Sequence, residues 1–182
     1  MLSRSGLVGL AVGVLLVGAG CTSGKSDSSP NGTSSPTASS APSLGPRAAA
    51  ERDALAAYRG MWSTFVEAAK TSDAEAPELR KYASDQALRL IASGLYNDKK
   101  QGKITKGEVV LDPKVTEVKP EQVPTEVTVL DCVDTTKWLV HKASGELWDD
   151  KPGGQHRMTA TVKQSDGAWK VNSFILEESG TC

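Results

Sequence analysis

The chain has 182 residues, and its 21 Lys and Arg nearly balance its 22 Asp and Glu, so the formal net charge is −1. A charge this close to zero gives no global field that attracts nucleic acid, which we therefore do not expect as a partner. The length leaves room for one domain and a tail. The three cysteines and two histidines show no metal-ligand spacing, and no phosphate-binding loop is visible, so the sequence predicts neither a metal nor another cofactor.

The N-terminal segment combines one cation with an apolar run that ends at a cysteine. Arg4 precedes residues 7–19, which are apolar or small, and Cys21 follows Gly20. The run has the length of a signal-peptide core and is too short for the ~20 apolar residues that span a bilayer. The residues before Cys21 resemble the lipobox of bacterial lipoproteins, in which the cysteine is acylated and becomes the new N-terminus. An ordinary secretory signal peptide is the alternative.

The lipobox resemblance implies where the N-terminal segments of the chain begin and end, and where in the cell the protein is located. Residues 1–20 would be a lipoprotein signal peptide, and Cys21 would carry diacylglycerol and a further acyl chain such as palmitate. The protein would then be lipid-anchored at the outer, extracytoplasmic face of the cell membrane. Residues 21–47 are rich in Ser, Thr, Pro and Gly and predict a disordered tether, because they offer little apolar surface to bury. Roughly 25 such residues reach on the order of 28 Å.

Residues 48–182 are predicted to form the folded domain, which begins with helices. Apolar residues at spacings of three and four predict a first helix of about six turns; they are Leu55, Tyr58, Trp62, Phe65, Val66 and Ala69. Pro77 suits the first turn of a short second helix. Ser84 is a candidate N-cap for a third helix, and Gly102 is its expected end.

After Gly102 the sequence changes to short β-rich runs that are separated by turn residues. The predicted strands are residues 108–111, 115–119, 126–133, 137–142, 156–164 and 168–176. A block of helices followed by adjacent strands predicts an α+β fold. Its N-terminal helices would pack on one face of a curved, mostly antiparallel sheet.

The order of these elements, together with two short stretches, resembles a known superfold. The chain ends its predicted sheet with residues 167–171 (Gly-Ala-Trp-Lys-Val), and residues 131–134 (Asp-Cys-Val-Asp) lie in a middle strand. This pattern looks like the nuclear transport factor 2-like, or SnoaL-like, cone domain, and in particular like exported lipoproteins of Gram-positive bacteria. The resemblance implies a cone-shaped domain. Enzymes of this superfold, such as ketosteroid isomerase, use Asp, His or Tyr in a pocket at the wide end of the cone.

Two cysteines remain when Cys21 is assigned to the anchor. Cys132 and Cys182 would then lie outside the membrane, where a disulfide persists. We expect them to pair, which would also hold the C-terminus in place. Two unpaired thiols are the alternative.

Two residues are weak candidates for acid–base chemistry. Alternation along the strand 126–133 places Asp131 on the same face as three valines, and His156 shares a phase with Met158. The two side chains could converge as a general acid–base pair. The alternative, which we favour, is that Asp131 satisfies buried polar groups and His156 lies at a loop edge. Five aromatic residues are candidates for lining a pocket, although a core role comes first: Tyr58, Trp62, Tyr82, Trp138 and Trp169.

The sequence therefore favours a membrane-anchored extracytoplasmic lipoprotein. Its domain is expected to be a non-catalytic ligand-binding or protein-interaction module of the cell envelope, with an unknown small molecule or envelope protein as partner. The alternative is an isomerase, dehydratase or cyclase that uses Asp131 and His156 in the cone pocket.

Overall fold

A computed structural model describes residues 45–182 of the chain. The predicted signal peptide, the lipidation of Cys21 and nearly all of the predicted tether lie outside these residues. The domain begins slightly earlier than expected, because its first helix starts at Pro46 instead of near residue 48.

Three helices form the N-terminal part of the domain: α1 (Pro46–Ala69), α2 (Leu79–Tyr82) and α3 (Asp85–Gln101). Pro46 occupies the first turn of α1, where its missing N–H is not needed. Gly102 ends α3 in the left-handed conformation with φ of 70°, as the sequence predicted. Ser84 occupies the N-cap position of α3, but its side chain makes no capping hydrogen bond. Its backbone N–H instead donates to the carbonyl oxygen of Val171 at 2.9 Å, which ties α3 to the last strand.

Six strands follow the helices: β1 (Lys103–Gly107), β2 (Lys114–Lys119), β3 (Glu126–Asp134), β4 (Trp138–Lys142), β5 (Gln155–Ser165) and β6 (Ala168–Leu176). The predicted strand at residues 108–111 was wrong. The first strand forms directly after Gly102 because residues 103–107 pair with β4, and in the predicted segment only Val110 makes an isolated bridge, to Asp134.

The strands form two antiparallel sheets. One has the order β2-β3-β5-β6, and the other pairs β1 with β4. Irregularities of register between Val115 and Glu117 and between Thr161 and Val162 interrupt the larger sheet. Bulges of this kind bend a sheet and increase its twist. The predicted class is confirmed: the fold is α+β, with N-terminal helices packed on a curved antiparallel sheet.

The core lies between the helices and the inner face of the larger sheet. Its largest fully buried side chains are those of Tyr58, Met61, Leu79, Leu95, Met158 and five valines. Alternation in β3 explains the sheet's contribution, since Val127, Val129 and Val133 are each 0 % exposed. Within residues 45–182, no helix is both long and apolar enough to cross a membrane.

The outer edge of β6 is closed by a side chain of α3. Nε2 of Gln86 donates to the carbonyl oxygen of Phe174 at 3.1 Å, and the N–H of Phe174 donates to Oε1 of Gln86 at 2.9 Å. The Gln86 amide therefore forms hydrogen bonds with both the N–H and the C=O of Phe174, which a neighbouring strand could otherwise use for pairing.

Candidate functional site

Asp131 is the one carboxylate on the inner face of β3, among its buried valines. The residue is 3 % exposed, and Oδ1 accepts the backbone N–H of Asp112 at 2.8 Å. Oδ2 is buried and has no hydrogen-bond partner among residues 45–182. Burial raises the pKa of Asp131, so its carboxyl remains protonated over a wider pH range than an exposed aspartate.

Two residues of α1 complete an interior polar cluster with Asp131. Tyr58 and Trp62 lie one helical turn apart and are 0 % and 4 % exposed. The Tyr58 hydroxyl donates to Sδ of Met158 at 3.2 Å, and Met158 is the residue paired with Asp131 across β3 and β5. Burial and the nearby Asp131 carboxylate raise the pKa of Tyr58, so the phenol stays protonated. Nε1 of Trp62 is buried without an acceptor in the described part of the chain.

His156 lies apart from this cluster. It is half-buried and pairs with Val133, and its two ring nitrogens have partners of their own. Nδ1 is 2.9 Å from the carbonyl oxygen of Glu177, and Nε2 is 3.2 Å from Oγ1 of Thr135. No hydrogen bond joins His156 to Asp131 in the described structure. The two weak acid–base candidates thus share the inner face of the sheet but have separate partners.

The five candidate pocket residues are distributed over the core and its margins. Trp62, Phe65 and Trp138 form an aromatic cluster, with ring centroids 5.8 Å (Trp62–Phe65), 6.1 Å (Trp62–Trp138) and 5.1 Å (Phe65–Trp138) apart. Tyr82 packs its ring on α1, and Trp169 is half-buried against the core. Tyr58 is enclosed by the core. Packing in or against the core therefore accounts for all five residues.

Two open grooves lie on the surface along α1. One of about 340 Å³ runs between α1 and residues 107–111, with Trp62 and Arg59 among its lining residues. Another of about 420 Å³ follows α1 toward α2 and is lined by charged residues such as Glu67 and Lys70. Two of the buried core side chains, Tyr58 and Met158, are in contact with each other through the phenol and the thioether.

The predicted disulfide is present in the structure. Cys132 of β3 and Cys182 are bonded, with their Cα atoms 6.0 Å apart and a sequence separation of 50. Among residues 45–182, no three His, Cys, Asp or Glu side chains come together in a way that could hold a metal ion.

Sequence reasoning missed the partners that fix these side chains. The amide of Asp112, the hydroxyl of Thr135 and the carbonyl of Glu177 contact Asp131 or His156 from segments 19 to 21 residues away. Partner groups at such separations leave no pattern in the sequence, so only the structure identifies them.

Comparison with known proteins gives similar structures but no similar sequence family. No protein-family model and no curated protein matches the chain. Among solved structures, a domain with a cystatin-like fold from Nostoc punctiforme is 12 % identical with a TM-score of 0.46, covering 70 % of this chain and 78 % of that one. Aln2 from Streptomyces is 12 % identical with a TM-score of 0.46, covering 68 % and 89 %.

A third similar structure is a putative scytalone dehydratase from Novosphingobium aromaticivorans. It is 14 % identical with a TM-score of 0.43, covering 70 % of this chain and 93 % of that one. Because all three TM-scores are below 0.5, these neighbours carry no inference about what this chain does.

Proposed function

We propose that this protein is a membrane-anchored extracytoplasmic lipoprotein whose cone domain is a non-catalytic binding or interaction module of the cell envelope. The anchor rests on the lipobox-like residues before Cys21. The disulfide between Cys132 and Cys182 supports an extracytoplasmic location, since such bonds persist in oxidising compartments and are rare in the cytosol.

The observation that carries the non-catalytic role is the state of the two acid–base candidates. Both ring nitrogens of His156 are at hydrogen-bond distance from Thr135 or Glu177. Oδ1 of Asp131 accepts a backbone N–H, and its unpartnered Oδ2 is buried and makes no hydrogen bond to His156 in the described structure. A general acid–base pair needs groups that reach one reacting molecule within hydrogen-bond distance. The open grooves along α1 favour a partner that binds at the surface.

The anchor is tested by changing Cys21 to Ser and following the protein in membrane and soluble fractions. We expect the variant to leave the membrane fraction or to accumulate as an uncleaved precursor, because acylation of the cysteine supplies the attachment. Thr22→Ser is the matched control, since it changes the next residue and keeps the thiol. Membrane-bound, processed Cys21→Ser protein would contradict the lipoprotein assignment.

The binding role is tested by native mass spectrometry and by partner capture with the lipidated chain. We expect the purified protein to have the mass of the chain and its lipid alone. Cross-linking in the intact envelope should then give a discrete protein adduct. A stoichiometric small molecule would instead show that the module binds a ligand. Conversion of that molecule by the parent protein but not by Asp131→Asn, with the fold intact, would support the isomerase, dehydratase or cyclase alternative.

A further inference from the structure

The last six residues, 177–182, form a segment that we call the C-terminal strap. The N–H of Glu177 donates to the carbonyl oxygen of Arg157 at 2.9 Å, and that of Gly180 donates to Gln155 at 2.8 Å. The N–H of Arg157 donates to Oγ1 of Thr181 at 2.8 Å. Five of the six strap residues are exposed and Thr181 is half-buried, so the strap adds no side chain to the core.

The disulfide that fastens the strap lies on the outer face of the larger sheet, away from the helices. Cys182 is exposed and Cys132 is half-buried. A cleft of about 170 Å³ borders both cysteines, with Lys114 and Arg157 among its lining residues. Arg157 is the residue directly paired with Cys132 across β3 and β5, so the two side chains leave the sheet on the same face and border the same cleft.

We propose that the bond between Cys132 and Cys182 is a thiol–disulfide exchange site, and that a dithiol reductant releases the strap while the rest of the domain stays folded. The exposed Sγ of Cys182 is attacked by a thiolate of the dithiol. A mixed disulfide forms at Cys182, the bond to Cys132 breaks, and Cys132 leaves as a thiolate.

The second thiol of the reductant completes the exchange. It attacks its own sulfur in the mixed disulfide, which oxidises the dithiol by two electrons and releases Cys182 as a thiolate. The two protons of the reductant end on Cys132 and Cys182. A nearby cation lowers the pKa of a thiol and makes its thiolate a better leaving group, so Arg157 favours departure of Cys132. Lys114 contributes less, because its Nζ is 3.2 Å from Oδ2 of Asp112, which lines the same cleft.

Release of the strap leaves the core in place because the two do not share residues. No buried core residue lies beyond Val171, and the last apolar side chain packed against the core is that of Phe174. The groups that lose partners are the backbone of Gln155 and Arg157 and the ring of His156, whose Nδ1 lies 2.9 Å from the carbonyl oxygen of Glu177.

The NMR signals of the His156 ring can show whether the strap is bound or released, and this measurement needs no activity assay. The chain has only two histidines, and His141 lies in the β4 hairpin with Nδ1 3.1 Å from the carbonyl oxygen of Gly145. The ring resonances of the two residues can therefore be followed together by NMR. Reduction should shift the His156 signals toward those of a solvated imidazole and leave the His141 signals unchanged.

The test uses the full chain with Cys21→Ser, which removes the third thiol, and dithiothreitol at neutral pH without denaturant. We expect two thiols to appear, the His156 signals to move, and the near-UV circular dichroism of the aromatic core to persist. A bond that resists reduction until the protein is unfolded would overturn the exchange site. Loss of the near-UV signal on reduction, or unchanged His156 signals, would overturn release of the strap alone.

The assignment of the leaving thiolate is tested by Arg157→Gln. We expect reduction to become several-fold slower at low ionic strength, with the difference disappearing near 1 M salt, where charges are screened within a few ångströms. Lys163→Gln is the matched control, because it removes a cation from the same strand and face six residues away. Lys114→Gln tests the same point in a second variant. Rates equal to that of Lys163→Gln in both variants would contradict the role of these cations.

Discussion

Two helical glycines should respond in opposite directions to replacement by alanine. Gly94 lies in α3, and a Cβ atom added there would meet no heavy atom within 4 Å. Gly60 lies in α1, where an added Cβ would be 2.5 Å from Cδ1 and 2.8 Å from Cγ of the Tyr82 ring. Tyr82 is itself half-buried and packed against the core, so its ring has little room to retreat.

The magnitudes follow from helix propensity and from overpacking. Gly94→Ala should raise the free energy of unfolding by roughly 0.5–1 kcal/mol, since alanine loses less backbone entropy in a helix. Gly60→Ala gains the same amount but incurs an overpacking cost of about 1–3 kcal/mol. We therefore expect a net loss near 1 kcal/mol and a difference between the two variants of about 2 kcal/mol.

Urea unfolding followed by circular dichroism measures both variants against the parent chain. In a Tyr82→Ala background the clash is absent, so Gly60→Ala should become stabilising, as Gly94→Ala is. If Gly60→Ala stabilises the parent protein as much as Gly94→Ala does, the packing of Tyr82 on α1 is refuted.

Three further predictions concern the interior carboxyl, the disulfide and one turn. Burial raises the pKa of Asp131 above its value in the unfolded chain, so folding favours the protonated carboxyl. The contribution of this group to stability is fully present below the unfolded pKa of about 3.9 and is lost as the pH rises through the folded pKa. Asp131→Asn lacks this loss, so its Tm relative to the parent should rise between about pH 4 and pH 7, and a constant gap would contradict the argument. The double variant Cys132→Ser with Cys182→Ser should lose about 4 kcal/mol in urea unfolding, because the bond closes a loop of 50 residues. It should remain folded at 25 °C, since a domain of this size has roughly 7–20 kcal/mol of stability, and an unfolded variant would show that the estimate is too low. Gly107 has φ of 114°, and a Cβ there would overlap the carbonyl oxygen of Lys137, so Gly107→Ala should cost roughly 3 kcal/mol or more in the same assay. An unchanged free energy of unfolding would mean that β1 and β4 can still pair when the backbone at residue 107 adopts a different conformation.

The parts of the fold that could be predicted are those with strong periodicity. The three-and-four spacing around Tyr58 and Trp62 gave α1, and alternating valines in β3 gave the inward face of Asp131. Both patterns are local consequences of the 3.6- and two-residue periods of helix and strand. The left-handed end of α3 at Gly102 was predictable for the same reason, because glycine adopts this conformation without penalty.

The first strand was missed because its stability is not local. Residues 108–111 carry more apolar side chains than residues 103–107, yet the latter form β1 because β4 supplies a complete set of partners. Strand formation depends strongly on such pairing, which composition does not record. The same limit applies to His156. Strand alternation predicted the face on which it lies, but its contacts with Thr135 and Glu177 form only in the folded chain.

The Gln86 amide at the edge of β6 affects whether two copies of the domain can pair their sheets. A strand edge with free N–H and C=O groups invites another chain to extend the sheet, and aggregation often starts at such edges. Here an incoming strand would have to displace the α3 side chain that already occupies both groups of Phe174. At this residue, two copies of the domain that meet edge to edge therefore find no free backbone groups with which to join their sheets.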